Sequence, residues 1–534
     1  MGRINIIGAG LSGLSAALTL AETGIGSRLI SLQRSERSQS VLAEGGINAA
    51  LDTMGENDTA AEHFADTMKG GVYLADPNAV DGLTRNAPAV VTRMAQLGVP
   101  FNRTSQNGIM QRSFGGQKKK RTAYAKSSTG KMLMTALIDE VRRYEVSGLI
   151  QRYPHHEFIR LLTDGGRCTG VRIRDTGTGL CADLDGAVIA ASGGMNGMFP
   201  GRTTGTTMNG GDVTAGLFAQ GVLLGNPEMM QYHPTTIGIP GKRCLISEAA
   251  RGEGGRLYIM KTSGERSYFM EEKYPELGNL MPRDVVAREM FFVRRSGDTE
   301  GEVMLDMTAL PEDTWKNRLS DLREEIIRYL GTDPKKSPIP VHEGIHYFMG
   351  GIDVNERHCT NIPGLYAGGE CCSQYHGANR LGGNSLLGAI YGGKTAAQTA
   401  AAAFTDCPDR EPIFTEMTDP LLEEARADFS ERLAVILSGG LGIVRSEKTL
   451  TDAVSAAKAM DLANEREKNR LALGLAMLTG ALERRESRGA HYREDYPGAS
   501  EDYRKTTVAQ NCGGEIRISF RDIPERRTDR EDNA

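Results

Sequence analysis

Apolar and polar positions alternate along this chain in short strand-like runs and longer helical ones. Arg3–Ile7 is an apolar run of strand length that opens directly into Gly8-Ala9-Gly10-Leu11-Ser12-Gly13. An alanine- and leucine-rich helical segment follows, Leu14–Thr23, and then a second strand, Arg28–Leu32. Strand, glycine turn, helix and strand in this order form a β-α-β unit of the Rossmann kind, which holds a dinucleotide. Each glycine has a physical reason. Gly8 allows the tight turn, Gly10 lets the backbone approach a pyrophosphate, and Gly13 lets helix and strand pack closely. The helix N-terminus then faces the phosphate charge. One usual feature is missing: an acid that ends the second strand and binds the ribose hydroxyls. The strand ends Ser31-Leu32-Gln33, so Ser31 or Gln33 is left to bond a ribose.

Two later segments return to the strand pattern. Ala187–Gly194 (AVIAASGG) reads as a buried strand ending in a glycine turn, and Gly364–Glu370 (GLYAGGE) as another ending in an acid. Strands this far apart predict a discontinuous dinucleotide domain, residues 1–227 and 342–395. Residues 228–341 between them read as an inserted α+β domain. From residue 396 the chain turns rich in alanine, glutamate and arginine with helical periodicity, as in Thr449–Leu462 and Glu465–Arg485. Residues 396–534 are therefore expected to form a helical domain with a charged edge or tail. The predicted class is α/β.

Composition narrows the function. With 39% hydrophobic and 25% charged residues, the 534-residue chain is globular. Its net charge of −5 gives no footprint for nucleic acid. The one basic run, Lys118–Arg121, reads as a solvated loop. No apolar stretch is long enough for a transmembrane helix. The first apolar run is broken by glycines and does not read as a signal peptide, so the expected location is the cytoplasm. Eight cysteines, Cys407 and the adjacent Cys371 and Cys372 among them, form no C-x-x-C pair. A zinc site or an iron–sulfur cluster held by this chain alone is not expected, and no metal is assigned. The adjacent pair reads as buried thiols.

Several longer blocks carry more information. They are Arg37–Ala50 (RSQSVLAEGGINAA), Gln111–Gln117 (QRSFGGQ), Gln231–Thr235 (QYHPT), Ser247–Gly255 (SEAARGEGG) and Pro282–Arg288 (PRDVVAR). Further on come His346–Ile352 (HYFMGGI), His376–Leu387 (HGANRLGGNSLL) and Glu486–Tyr492 (ESRGAHY). In this order they resemble the flavoprotein subunit of the succinate dehydrogenase/fumarate reductase family, over residues 1 to about 500. The resemblance implies FAD, a four-carbon dicarboxylate substrate such as fumarate or succinate, and a capping domain that closes over the flavin. By similarity, FAD contacts come from Gly8, Gly10, Gly13, Ser38, Ala43, Gly45, Gly46, Asp212, Glu370, Arg380, Ser385 and Leu386, and Ser31 is the candidate at the ribose.

The resemblance also assigns the chemistry. His233, His346 and Arg380 match carboxylate-binding positions, with Ser247 where the family usually has threonine. A guanidinium suits a carboxylate because it binds bidentately. Phe114 in the FGG turn is expected as an apolar wall. Arg283 matches the family's proton donor to the alkene carbon opposite the hydride. An arginine can serve as an acid only if a relay reprotonates it, and Glu248 and Arg251 match the relay.

One departure stands out. Membrane-bound members attach FAD through a histidine, and Gln39 stands there in Ser38-Gln39-Ser40-Val41. An amide is not a nucleophile, so the FAD is expected to be noncovalent, with a lower potential that favours fumarate reduction. L-Aspartate oxidase, a reductase of another α,β-unsaturated acid, or an electron-transfer subunit with little catalysis of its own are the alternatives. The chain has no haem or cluster motif, so a separate donor is expected. An iron–sulfur subunit ranks first, and it can place the chain peripherally at a membrane.

Overall fold

The computed structural model describes residues 2–126, 128–299, 301–404 and 409–527, and Cys407 lies outside them. The Arg3–Ile7 strand is the centre of a five-stranded parallel sheet. Its order is Leu365–Ala367, Val188–Ala190, Arg3–Ile7, Gly26–Ser31 and Ile150–Pro154. A parallel sheet is covered on both faces, so its strands read as continuous apolar runs. The period of two still shows in the packing. Ile4 and Ile6 join a core with the Leu11–Glu22, Thr129–Val146 and Asn384–Ala402 helices. Ile7 and Ile30 turn to the opposite core, with Phe158, Leu161, Val171 and Ile173. That second core belongs to an antiparallel layer of His156–Asp164, Arg167–Asp175 and Cys181–Asp185.

The glycine turn is sterically forced. Gly8 has φ +116°, and a Cβ there would lie 2.1 Å from Ala191 O. A Cβ on Gly13 would lie 1.8 Å from Gly8 O. The helix starts at Leu11, earlier than the apolar pattern indicated, because Gly10 takes the N-cap position. Its small residues let it lie against the Asn384–Ala402 helix, where a Cβ on Gly393 would sit 2.1 Å from Ser12 O.

Residues 237–341 gather around a separate core that includes Ile246, Leu257, Met290, Leu305 and Trp315. Two small antiparallel sheets carry this lobe. One pairs Met230–Ile239 with Lys242–Leu245 and with His342–Phe348, and the other contains Arg256–Met260 and Met304–Asp306. After the Asn384–Ala402 helix, the Ala427–Gly440, Glu447–Lys458 and Glu465–Glu483 helices form a bundle.

The end of the chain differs from a helical domain with a tail. Lys505–Cys512 and Glu515–Asp522 form a β-hairpin that extends a sheet through Leu224–Gly225 and Gly351–Asp353. Pairing with strands far away in sequence gives this charged segment its conformation. The ESRGAHY block lies in a buried ionic knot, away from the large cavity. Arg484 bonds Glu228 at 2.8 Å and Glu486 at 2.9 Å, with all three side chains fully buried. Removing one partner from such a pair costs about 3–5 kcal/mol, because the other is left buried and unpaired. The basic run is also bound into the fold. Arg121 is buried against Asp58 and Asp66, and Lys120 pairs with Glu56. Cys371 and Cys372 are buried thiols, pushed up by burial. Among the described residues no helix is long and apolar enough to cross a membrane.

Burial keeps six of the nine histidines neutral. It pushes His63 and His376 down to about 3 and His358 to about 4, and His233, His346 and His491 well below their usual range. The unfolded chain takes up these protons below about pH 6.5, and the folded chain does not. Their contribution to stability is therefore complete above about pH 6.5 and is lost as pH falls towards 4. Each histidine costs at most about 1.4 kcal/mol per pH unit over this range. The melting temperature is expected to drop steeply between pH 6.5 and 4.5, with net proton uptake on unfolding. A flat melting temperature across that range would show that these histidines charge in the folded state.

Candidate active site

A cavity of about 350 Å³ runs from the Gly8–Gly10 turn to the inserted lobe. That is within the usual size for a ligand site, about 300–1,000 Å³. At one end the lining residues are Gly8, Gly10, Ser31, Ser38, Ala43, Gly45, Gly46, Asp212, Glu370, Ser385 and Leu386. At the other they are Phe114, His233, Ser247, Glu248, Arg283, His346 and Arg380. Two expected site residues do not line it. Gly13 packs under the turn against Gly8, and Arg251 lies buried behind the cavity wall.

The glycine end fits a dinucleotide. The turn has no room for side chains, and the helix N-terminus points into the cavity with its partial positive charge. Leu11 N donates to Ser40 Oγ at 3.2 Å, which ties the Ser38–Ala43 loop to this turn. Glu370 accepts from Phe348 N at 3.1 Å, and burial pushes its carboxyl up to about 7. Asp212 is engaged in a way the sequence did not indicate: Arg470 grips both its oxygens, at 2.6 and 2.8 Å. A carboxylate has about four acceptor positions, so Asp212 retains capacity towards the cavity. Ser31 Oγ turns to Gln33 O at 2.7 Å. Gln39 also lines the cavity, and its Oε1 accepts from Thr206 N at 2.6 Å.

The other end is a cluster of cations and imidazoles. His233 and His346 lie on neighbouring antiparallel strands, with ring centroids 5.2 Å apart. A shift in strand register after His233 accompanies this juxtaposition. His233 Nδ1 is 3.1 Å from Thr235 O, and His346 Nδ1 is 2.8 Å from Thr204 Oγ1. Burial, then the nearby arginines, hold both rings neutral. Arg380 lies over the Tyr347 ring at 4.5 Å, and its Nε has no partner. Burial and then the like charge of Arg283 push Arg380 down to about 9.

Arg283 begins the Arg283–Val293 helix, just after Pro282. Its Nε and Nη2 donate to Glu248 Oε2 at 2.8 and 2.6 Å, and its Nη1 to Gln231 Oε1 at 3.2 Å. The second oxygen of Glu248 accepts from Gly115 N at 2.9 Å. Burial alone would raise the Glu248 carboxyl, but Arg283, Arg251 and these bonds outweigh it and hold it below its usual range. Arg251, three residues on, donates to Asn279 O at 2.5 Å, and its Nε and Nη2 are buried without a partner among the described residues. Phe114 packs where the two loops meet: a Cβ on Gly45 would lie 3.1 Å from its ring and one on Gly382 3.0 Å. Ser247 is buried beside Glu248, its Oγ 3.4 Å from Ala249 N.

Sequence reasoning missed Gln231 and Thr204. Gln231 accepts from Arg283, and its Nε2 donates to Asn379 Oδ1 at 2.8 Å and to Arg380 O at 2.9 Å. Its signal was available, since it precedes His233 by two positions on a strand and so shares its face. Thr204 had only the hydroxyl run Thr203-Thr204-Gly205-Thr206-Thr207 to mark it.

Comparison with known proteins identifies the family. Residues 4–386 match the family model described as an FAD binding domain, and residues 461–530 match that of the fumarate reductase flavoprotein C-terminus. The chain is 36% identical to the succinate dehydrogenase flavoprotein subunit of Bacillus subtilis, over 95% of this chain and 94% of that one. It is 32% identical to the 8-methylmenaquinol:fumarate reductase flavoprotein subunit of Wolinella succinogenes, over 97% and 90%. A solved variant of E. coli quinol fumarate reductase FrdA superposes with a TM-score of 0.85 at 28% identity, covering 98% of this chain and 97% of that one. The chain belongs to the succinate dehydrogenase/fumarate reductase flavoprotein family, whose members are FAD-dependent oxidoreductases.

Proposed function

We propose that this chain reduces fumarate to succinate, with Arg283 as proton donor. The observation that carries the reading is the bridged pair of Arg283 and Glu248 in one cavity with Arg380, His346 and His233. A dicarboxylate needs donors at both ends. Arg380 and His346 suit one carboxylate, and His233 with the Ser247 hydroxyl suits the other. Phe114 gives the flat alkene an apolar wall.

The residues of the glycine end together with Arg380 would hold FAD, which would supply the hydride. Arg283 then donates a proton to the neighbouring carbon. A guanidinium releases a proton only to a strongly basic carbon, because its pKa lies above about 12. Glu248 Oε2, in contact with both Nε and Nη2, is placed to pass Arg283 a proton that reaches it from solvent by way of Arg251, which also stabilises the carboxylate's charge at rest. L-Aspartate oxidase or reduction of another unsaturated acid would use the same fold. Donors placed at both ends favour a dicarboxylate over a monocarboxylate. Electrons are proposed to come from an iron–sulfur partner at a membrane surface; the relatives compared above are named as flavoprotein subunits.

Purified protein with a reduced viologen dye should oxidise the dye when fumarate is added, faster than it oxidises succinate. Turnover on another acid and none on fumarate would overturn the proposal. Arg283→Gln is expected to lower kcat about a thousandfold while changing the fumarate KM far less. An Arg283→Gln protein with near-normal kcat would remove Arg283 from the chemistry. Because Gln39 replaces the linking histidine, acid precipitation should leave all flavin in the supernatant. Yellow, flavin-bearing polypeptide in the pellet would show a covalent bond formed elsewhere.

A further inference from the structure

The loop from Gly201 to Asn209 touches three parts of the molecule. Thr206 N donates to Gln39 Oε1 at 2.6 Å, on the flavin loop. Arg243 N donates to Thr203 O at 2.9 Å and Gly201 N to Gly241 O at 3.1 Å, which joins it to the inserted lobe. Thr204 N donates to Ile345 O at 2.9 Å, next to His346, and Thr203 Oγ1 donates to Asn196 Oδ1 at 2.6 Å. The loop backbone is thus fixed on every side, and the Thr204 side chain is delivered to one place, 2.8 Å from His346 Nδ1.

We infer that Thr204 is a positioning residue, whose hydroxyl fixes the tautomer of His346 so that Nε2 carries the ring proton. A neutral imidazole has one donor and one acceptor nitrogen, and its partner decides which is which. The Thr204 hydroxyl has two acceptors in reach: His346 Nδ1 at 2.8 Å and Ile345 O at 3.5 Å. The second is at the limit of a hydrogen bond, so the hydroxyl proton goes to Nδ1. His346 Nε2 is then a donor. The opposite tautomer would present a lone pair to a carboxylate, and the two would repel. Burial, and then the Arg283 and Arg380 charges, keep His346 neutral beside the His233 ring, so its donor capacity rests on the tautomer and not on charge.

The inference rests on the dicarboxylate reading for its kinetic consequence and is independent of it for its spectroscopic one. In FAD-loaded protein, Thr204→Val should raise the fumarate KM about tenfold with kcat within about twofold, the size of one lost neutral hydrogen bond. Thr204→Ser, which keeps the hydroxyl, should restore the wild-type KM. Substrate-free protein labelled with nitrogen-15 histidine should show His346 Nδ1 unprotonated, with His346→Gln identifying the signal. Thr204→Val should give a mixture of tautomers. A protonated Nδ1 in the wild type would overturn the inference. So would a Thr204→Ser protein as impaired as Thr204→Val, because the methyl group and not the hydroxyl would then be what matters. If the protein turns over an acid other than fumarate, the fumarate reading fails while the nitrogen spectrum still decides the role of Thr204.

Discussion

The carboxylate of Glu248 is the joint on which the active site depends. One oxygen accepts from the Gly115 backbone of the flavin-binding part, and the other from Arg283 of the inserted lobe. Two lobes with separate hydrophobic cores thereby meet at this side chain, and the backbone bonds of the 201–209 loop join them as well. The bond geometry also decides the charge. A carboxyl this deeply buried would normally be neutral, and two arginines keep it ionised. Loss of the Glu248 charge would leave Arg283 buried without its acid, at a cost of about 3–5 kcal/mol.

Around Glu248, guanidinium groups outnumber carboxylates. Arg251, Arg283 and Arg380 are all buried, and Glu248 is the acid that pairs with Arg283. Arg251 Nε and Nη2 and Arg380 Nε have no hydrogen-bond partner among the described residues. Buried, unpaired donors of this kind are costly in an isolated protein and favourable once an anion arrives. Burial first, and then the same neighbouring guanidinium groups, keep His233 and His346 neutral. What a neutral imidazole offers a ligand depends on its tautomer, which the hydrogen-bond partner of its other nitrogen sets.

At the glycine end, steric exclusion replaces charge as the organising principle. The Gly8 and Gly13 contacts leave no space for a Cβ, so the strand, turn and helix close on one another without side chains between them. Gln39 joins this end to the Thr206 loop by a hydrogen bond. The same loop reaches His346 two residues earlier, so the two ends of the cavity share one short segment of backbone.

Much of the fold was legible in the sequence because its signals are local. A five-residue apolar run, a glycine turn and an alanine-rich helix carry their own conformational preferences, and the Arg3–Ile7 strand appears where its pattern indicated. The blocks around His233, Glu248, Arg283, His346 and Arg380 carried the family resemblance, and the structure gathers these residues along one cavity. What the sequence could not determine depends on partners distant along the chain. Lys505–Asp522 is a hairpin because it pairs with a strand at Leu224–Gly225, and nothing in its charged composition announces that. Asp212 is gripped by Arg470, and Arg121 by Asp58 and Asp66, through contacts between separate elements. The glycine cradle and the types of residue in the site were determined by the sequence. Which nitrogen of His346 holds a proton, and which charge Glu248 balances, were decided only by tertiary packing, because hydrogen bonds and burial depend on distances that the sequence order does not contain.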